Sequence, residues 1–369
     1  MRGVEAEKVA WALDGEGPSA GAVQITLRRM QLNHSLIGSA ALLVLCSFFA
    51  GCDSGTTAPT VAATKTAPAA PAKVRLQLNW VAEPEFGGMY AAQAEGMFAA
   101  EALDVELIQG GPGVPSPQLI ASGKVEFGVV AGSQLLELRE QGGDLVALFA
   151  VYQGNPMGVM VHEASPFMSL VDLWKSDSTV TYEQGLADFR FLDKEFPGGK
   201  LKVVPYSANL AQFASDPTLA SQCFITSEPV TLDLKGIKTR VFMIGEAGFD
   251  PYNEVVVTRR EYYESHKDQC AALVRALSKG WRAYLNAPKP VNEVMAKLNA
   301  GMSIEAMNRG ADMQRKIVET DETKRLGLGC MRAERWQITI NQLVELGDLK
   351  TKPDPMTLFV WNQGDDIAR

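Results

Sequence analysis

From position 74 onward, short apolar runs alternate with stretches of helical spacing. The runs at 74–78, 104–108, 125–130, 145–152, 158–162, 179–183, 201–206, 223–226, 240–244 and 254–258 have strand length and are rich in Val, Leu and Phe. Between them, 88–101, 116–123, 133–141, 169–175, 187–196, 208–221 and 228–235 read as helices. Such alternation predicts α/β layers with mostly parallel sheets. After about residue 259 the strands stop, and helices are expected at 260–265, 267–286, 290–299, 303–319 and 332–347. Within 267–286, Cys270, Leu273, Val274, Leu277, Trp281, Tyr284 and Leu285 fall on one helical face, which predicts packing on a core rather than a ligand box.

The N-terminus carries a different pattern. Residues 36–50 form one apolar run, shorter than the ~20 residues a spanning helix needs. Arg28 and Arg29 precede it and small residues close it, the layout of a secretory signal. The run ends Phe49-Ala50-Gly51-Cys52, which resembles the lipobox of bacterial lipoproteins with Phe49 in place of the usual Leu. Residues 1–51 are therefore expected to be a signal segment, with Met30 an alternative start. Cys52 is the expected lipidation site. Residues 52–73 are rich in Ala, Thr and Pro and show no apolar period, so they are expected to form a flexible tether.

The chain has 369 residues, enough for two lobes of roughly 100–200 residues each. Its net charge of -8 argues against nucleic acid, whose binders need a basic footprint. Three histidines, one of them in the signal segment, make a His-based metal site improbable. Beyond the signal, Cys223, Cys270 and Cys330 remain; the odd count leaves at least one thiol free, and a Cys270–Cys330 bridge is open to an oxidising compartment. No nucleophile elbow, Walker A loop or H-E-x-x-H is present, and Pro112 and Pro115 break the dinucleotide fingerprint at Gly110-Gly111. Together with export, this favours binding over catalysis, with no cofactor.

In open α/β sheets, ligands sit beyond the carboxyl ends of strands. The loop after the first strand holds Trp80, Glu83, Glu85, Phe86 and the Gly87-Gly88 pair, then Tyr90. Trp80 suits stacking on a flat ligand, and Glu83 or Glu85 suits ring amines. After the second strand, amides near Gly111 suit an anion or an ordinary turn. Ser133 follows the third strand and reads equally as a helix cap. Tyr152 ends the fourth strand. Tyr182 and Glu183 end the sixth, and Ser227 and Glu228 follow the eighth, where Ser227 also reads as a cap and Pro229 as a first-turn residue. Tyr252 stands in Asp250-Pro251-Tyr252-Asn253, a candidate hinge before the last strand.

Val74-Arg75-Leu76-Gln77-Leu78-Asn79-Trp80, then Tyr90-Ala91-Ala92-Gln93-Ala94-Glu95-Gly96-Met97-Phe98, resembles the opening of the thiamine-pyrimidine-precursor-binding proteins of ABC importers. The resemblance continues through Leu103–Glu106, 120–128, Lys279-Gly280-Trp281 and Glu334-Arg335-Trp336. It implies a two-lobed type II periplasmic-binding-protein fold. Residues 73–165 plus 250–350 would form lobe one, with the C-terminal helices packed on it. Residues 166–249 would form lobe two, and 351–369 a C-terminal tail. It implies that Trp80 stacks on the ligand and that Glu228 is the acidic cleft residue. It implies a monomer held at the periplasm or cell surface by its lipid, delivering a small-molecule ligand to an ABC permease and its ATPase. Riboflavin, or a sulfonate or nitrate anion, is the alternative cargo.

Many relatives carry Asn-His where Glu85-Phe86 stand. Fungal pyrimidine synthases of this fold use that histidine as substrate, with pyridoxal phosphate on a lysine. Phe86 has no such chemistry, which argues against an enzyme. The anchor is directly testable: labelled palmitate is expected to enter the wild-type chain and to be lost in Cys52→Ala, and label that persists in the variant overturns the lipidated Cys52.

Overall fold

A computed structural model describes residues 70–360. The expected signal segment, Cys52 and nearly all of the tether lie outside the described residues. Ten strands appear at the expected places: β1 (Ala72–Gln77), β2 (Leu103–Ile108), β3 (Phe127–Val130), β4 (Leu145–Tyr152), β5 (Met157–His162), β6 (Thr179–Tyr182), β7 (Lys202–Pro205), β8 (Ala220–Phe224), β9 (Thr239–Met243) and β10 (Asn253–Arg259). They build two five-stranded sheets, ordered β2-β1-β3-β10-β4 and β7-β6-β8-β5-β9. β4 is buried at every position, as a strand covered on both faces must be.

Four expectations need correction. The sheets are mixed, not mostly parallel. β10 runs antiparallel to β3 and β4, and β5 runs antiparallel to β8 and β9. These are the strands that follow the two crossovers, so each enters its new sheet from the opposite direction. The first crossover also comes earlier than residue 165: β5 pairs in the second sheet, which moves the boundary to the loop between Tyr152 and Met157. The helix expected over 208–221 is confined to Leu210–Ser215, because Ala220 already starts β8. Residues 351–360 are not a free tail. Leu358 is buried, and the amides of Ala147 and Val360 exchange hydrogen bonds with Leu358 and Ala147 at 2.8 and 2.9 Å, covering the outer edge of β4.

The late helices return to the first sheet as expected. Every residue of the 267–286 stripe is buried. Its partner is the helix Gly87–Ala94, and the contact is close. A Cβ on Gly88 would lie 2.3 Å from Trp281 Cγ, and one on Gly87 would lie 2.1 Å from the Tyr284 ring. The glycine pair therefore serves helix packing. Cys223, Cys270 and Cys330 are buried free thiols, so no Cys270–Cys330 bridge forms.

The crossovers are tied to each other. Asn155 donates its amide to Asp250 Oδ1 at 2.6 Å and its side-chain nitrogen to Phe249 O at 3.1 Å. Away from them, Arg190 on the helix Ala187–Glu195 reaches Asp348 at 3.0 Å and also Glu137, and Arg309 reaches Asp233 at 3.0 Å. These pairs link elements of the two sheets. Exposed pairs of this kind are worth ~0–1 kcal/mol each, so they bias the relative position of the lobes without locking it.

Adding one methyl in the glycine–tryptophan contact should be felt. Gly88→Ala is expected to lower stability by about 1–3 kcal/mol, read as a lower urea midpoint at unchanged slope. An unchanged midpoint would show that the helix pair is looser than described.

Candidate ligand-binding cleft

One cavity of about 110 Å³ lies between the two sheets. It is lined from both: Asn79, Trp80, Glu83 and Glu85 follow β1, Asn253 and Glu254 open β10, and Glu183, Tyr206 and Glu228 stand at strand ends of the second sheet. This is the position expected for ligands of α/β sheets.

The Trp80 loop is pinned from the neighbouring strand end. Gly110 donates its amide to Trp80 O at 2.8 Å, Gly111 donates to Asn79 O at 3.3 Å, and Gln109 Oε1 accepts from the Ala82 amide at 3.1 Å. A Cβ on Gly110 would sit 2.4 Å from the backbone of Leu78 and Asn79, so only glycine fits there. The amides expected to cradle an anion are thus spent on holding the tryptophan loop. Gly111 lines the cavity, but its N–H does not point a free donor into it.

Trp80 is half-buried and faces Tyr206 of the second sheet, with ring centroids 6.4 Å apart and planes at 23°. Two van der Waals contacts around a flat ring need about 7 Å. The pair is therefore poised to admit one planar ring after a small opening. Tyr206 also donates its hydroxyl to Glu228 Oε1 at 2.5 Å, while the Phe224 amide donates to Glu228 Oε2 at 2.7 Å. Glu228 opens a helix, where Pro229 holds the first turn, but Ser227 makes no side-chain cap and lines the cavity instead.

Among the described residues, six carboxyl groups line the cleft, Glu83, Glu85, Glu183, Asp188, Glu228 and Glu254, and no lysine, arginine or histidine does. Burial and the Glu228 charge push Glu83 up to about 8, against hydrogen bonds from Ser227, Asn299 and Trp80. Burial raises Glu254 to about 7, opposed by a hydrogen bond from Asn79. Burial, then repulsion from Glu254, Glu83 and Glu228, holds Glu85 well above the ordinary carboxylate range. Glu183, Asp188 and Glu228 are also raised, each chiefly by burial.

Trp80, Glu83, Glu85, Gly111, Glu183, Ser227 and Glu228 thus meet around one cavity. The other expected residues do not line it. Tyr90 is packed in the first core. Tyr182 stacks on Phe189 at 4.1 Å inside the second lobe. Tyr252 is buried beside Trp336 and accepts the Arg332 amide. Ser133 is buried in its helix, while its neighbours Ala131 and Gln134 reach the cavity. Tyr152 is buried and donates to Gln314 Oε1 at 2.6 Å; Gln314 in turn donates to Pro84 O at 2.9 Å, so Tyr152 braces the turn that carries Glu85. Tyr206, Asp188 and Glu254 escaped the sequence reading. Tyr206 was within reach of it, since it directly follows a strand.

Residues 83–290, more than half of the chain, match the family described as NMT1/THI5 like. A Haemophilus influenzae protein whose name assigns it to thiamine biosynthesis is 30% identical over 119 residues, 31% of this chain and 38% of that protein, so the match spans little more than a third of that relative. The riboflavin-binding protein RibY of Chloroflexus aurantiacus is 22% identical over 82% of this chain and 89% of its own. Among solved structures, the alkanesulfonate-binding protein of Xanthomonas axonopodis pv. citri bound to MOPS superposes with a TM-score of 0.61 at 13% identity, covering 79% of this chain and 99% of that one. The shared fold is that of periplasmic binding proteins.

The raised carboxyl groups make a pH prediction. Glu83 and Glu254 hold protons in the folded chain that they lose near pH 4.3 when unfolded. The stability they contribute is full below that value and disappears as pH rises through about 7 and 8. The thermal midpoint of the ligand-free protein should therefore fall by several degrees between pH 5.5 and 9, at about 2–4 °C per kcal/mol. A midpoint that rises over this range in calorimetry contradicts the assignment.

Proposed function

The chain belongs to the NMT1/THI5-like family, and from that premise we propose that it is the extracytoplasmic substrate-binding protein of an ABC importer, carrying a small planar nitrogen heterocycle of the thiamine-pyrimidine-precursor kind. The single observation that carries this reading is the Trp80–Tyr206 pair, one ring from each lobe, set close to the spacing of a stacked guest. Stacked aromatic partners contribute ~0.5–1.5 kcal/mol beyond their buried area. Glu83 and Glu228 lie beside the rings and accept hydrogen bonds from exocyclic or ring N–H groups of the guest.

Binding draws the lobes together. The guest touches residues of both sheets only in the closed form, so its affinity difference between forms shifts the open–closed equilibrium. The closed form is the one presented to the permease, and lipidated Cys52 keeps it at the membrane. Phe86 supports a carrier over an enzyme: it is wholly buried in the turn before Gly87, away from the cleft, and offers no nucleophile or ligand.

The acidic lining argues against sulfonate or nitrate as cargo, because an anion here meets six carboxyl groups and no cationic side chain among the described residues. Riboflavin stays the second reading. It is supported by the relative of that specificity that aligns over most of both chains.

Calorimetry with an aminopyrimidine, riboflavin, taurine and nitrate separates these cargoes. Aminopyrimidine binding is expected, weakened at least tenfold in Trp80→Ala, with no heat from taurine or nitrate. Binding of the two anions alone would end the heterocycle reading.

A further inference from the structure

The cleft has a second acidic group of residues that the stacking account does not use. Glu254 stands at the start of β10 with φ +50, a left-handed conformation that costs a non-glycine residue about 1–2 kcal/mol. Its amide donates to Asn253 Oδ1 at 2.8 Å, which holds the inverted backbone in place. A strand in ordinary geometry would not need this. The carboxylate is fully buried and lines the cavity.

Glu254 Oε1 accepts from Asn79 Nδ2 at 3.1 Å. Its other oxygen, Oε2, has no hydrogen-bond partner, and neither does Asn79 Oδ1. An acceptor left unpaired in the interior costs ~1–3 kcal/mol. Beside them is Glu85, which is 3% exposed and whose carboxylate receives no hydrogen bond from any described residue. Glu254 Oε2, Asn79 Oδ1 and the Glu85 carboxyl therefore line one cavity without a hydrogen bond from any described residue, and no basic side chain is among the described residues of its wall.

We propose that Glu254, Glu85 and Asn79 form a seat for a positively charged nitrogen, so that the cleft binds a nitrogen heterocycle preferentially in its protonated, cationic form. This rests on the reading of the cleft as the cargo site and narrows its chemistry. Burial favours the protonated forms of Glu254 and Glu85 in the ligand-free chain. One N–H⁺ group replaces such a proton: it donates to the open acceptors and offsets the charge that the carboxylate then carries. A neutral guest cannot take over that charge. The ring of such a guest lies between Trp80 and Tyr206, and its charged nitrogen points inward to Glu254.

The test compares two guests of nearly the same shape. 4-Aminopyridine is protonated at neutral pH, whereas 4-aminopyrimidine is uncharged there. Calorimetry at pH 7.5 is run on the wild type, Glu254→Gln, Glu85→Gln and Trp80→Ala, each checked by circular dichroism for native fold. The wild type is expected to prefer 4-aminopyridine at least tenfold. Either glutamine variant should reduce that preference to about threefold or less, and Trp80→Ala should weaken both guests while keeping their ratio. Equal affinity in the wild type overturns the proposal, as does a preference that survives both glutamine variants.

Acetamidine, a cation with no ring, separates failure here from failure of the cargo reading. If neither heterocycle binds but acetamidine raises the thermal midpoint of the wild type and not of Glu254→Gln, the cation seat stands and the heterocycle reading falls. If acetamidine and both heterocycles all fail to bind, the cation seat falls too.

Discussion

Buried negative charge without a protein counter-charge is the constraint around which this molecule is arranged. An ionised carboxylate moved into a poorly polarisable interior carries a penalty of several kcal/mol even after relaxation. Six such groups around one cavity cannot all remain ionised and unpaired. The empty protein answers by protonation, which is why burial raises Glu83, Glu85 and Glu254 together. It also answers with local donors: Tyr206 and the Phe224 amide to Glu228, Asn155 to Asp188, and Asn79 to Glu254. What these donors leave unsatisfied defines what a guest must bring.

The scaffold keeps that unfinished site from collapsing. Trp80 and the turn that carries Glu85 sit on one loop, held by Gln109 and Gly110 on one side and by the Tyr152–Gln314–Pro84 chain on the other. Neither support is among the described residues that line the cavity. Asn155 has a further role, since it joins the two crossovers and also donates to Asp188 at 2.7 Å in the cleft wall. A change in lobe position is therefore felt at a carboxylate lining the cavity. The Arg190 and Arg309 ion pairs are partly exposed and weak, which suits lobes that must part to release cargo.

Much of this was legible in the sequence, for identifiable reasons. Strands of four to eight residues rich in Val and Phe declare themselves by composition, so all ten appear within a few positions. The stripe from Cys270 to Leu285 declares a buried face by its period. Direction within a sheet has no such signal, and the antiparallel entry of β5 and β10 went unread. Strand-end aromatics failed as site markers because successive side chains alternate between faces. Tyr182 turns inward to Phe189, whereas Tyr206, one strand over, turns to the cleft. Glu254 was invisible for a deeper reason. In an ordinary strand its neighbours would fix the face on which it lies; the positive φ removes that rule, and only coordinates show the result.

The strained glutamate and the paired rings make different demands on a guest, and their combination is selective. Stacking accepts almost any flat aromatic, because every such ring has two faces, and it discriminates weakly among them. A buried acceptor with no donor discriminates strongly, because a guest lacking the matching N–H leaves it unpaired. On the proposed reading, breadth at Trp80 and Tyr206 with stringency at Glu254 would give a carrier that samples planar molecules and retains those that complete the charge balance. The left-handed residue is kept at a cost in stability that a glycine would remove, but glycine would also remove the carboxylate. That exchange of stability for a directed charge is what a binding site requires and a purely structural strand does not.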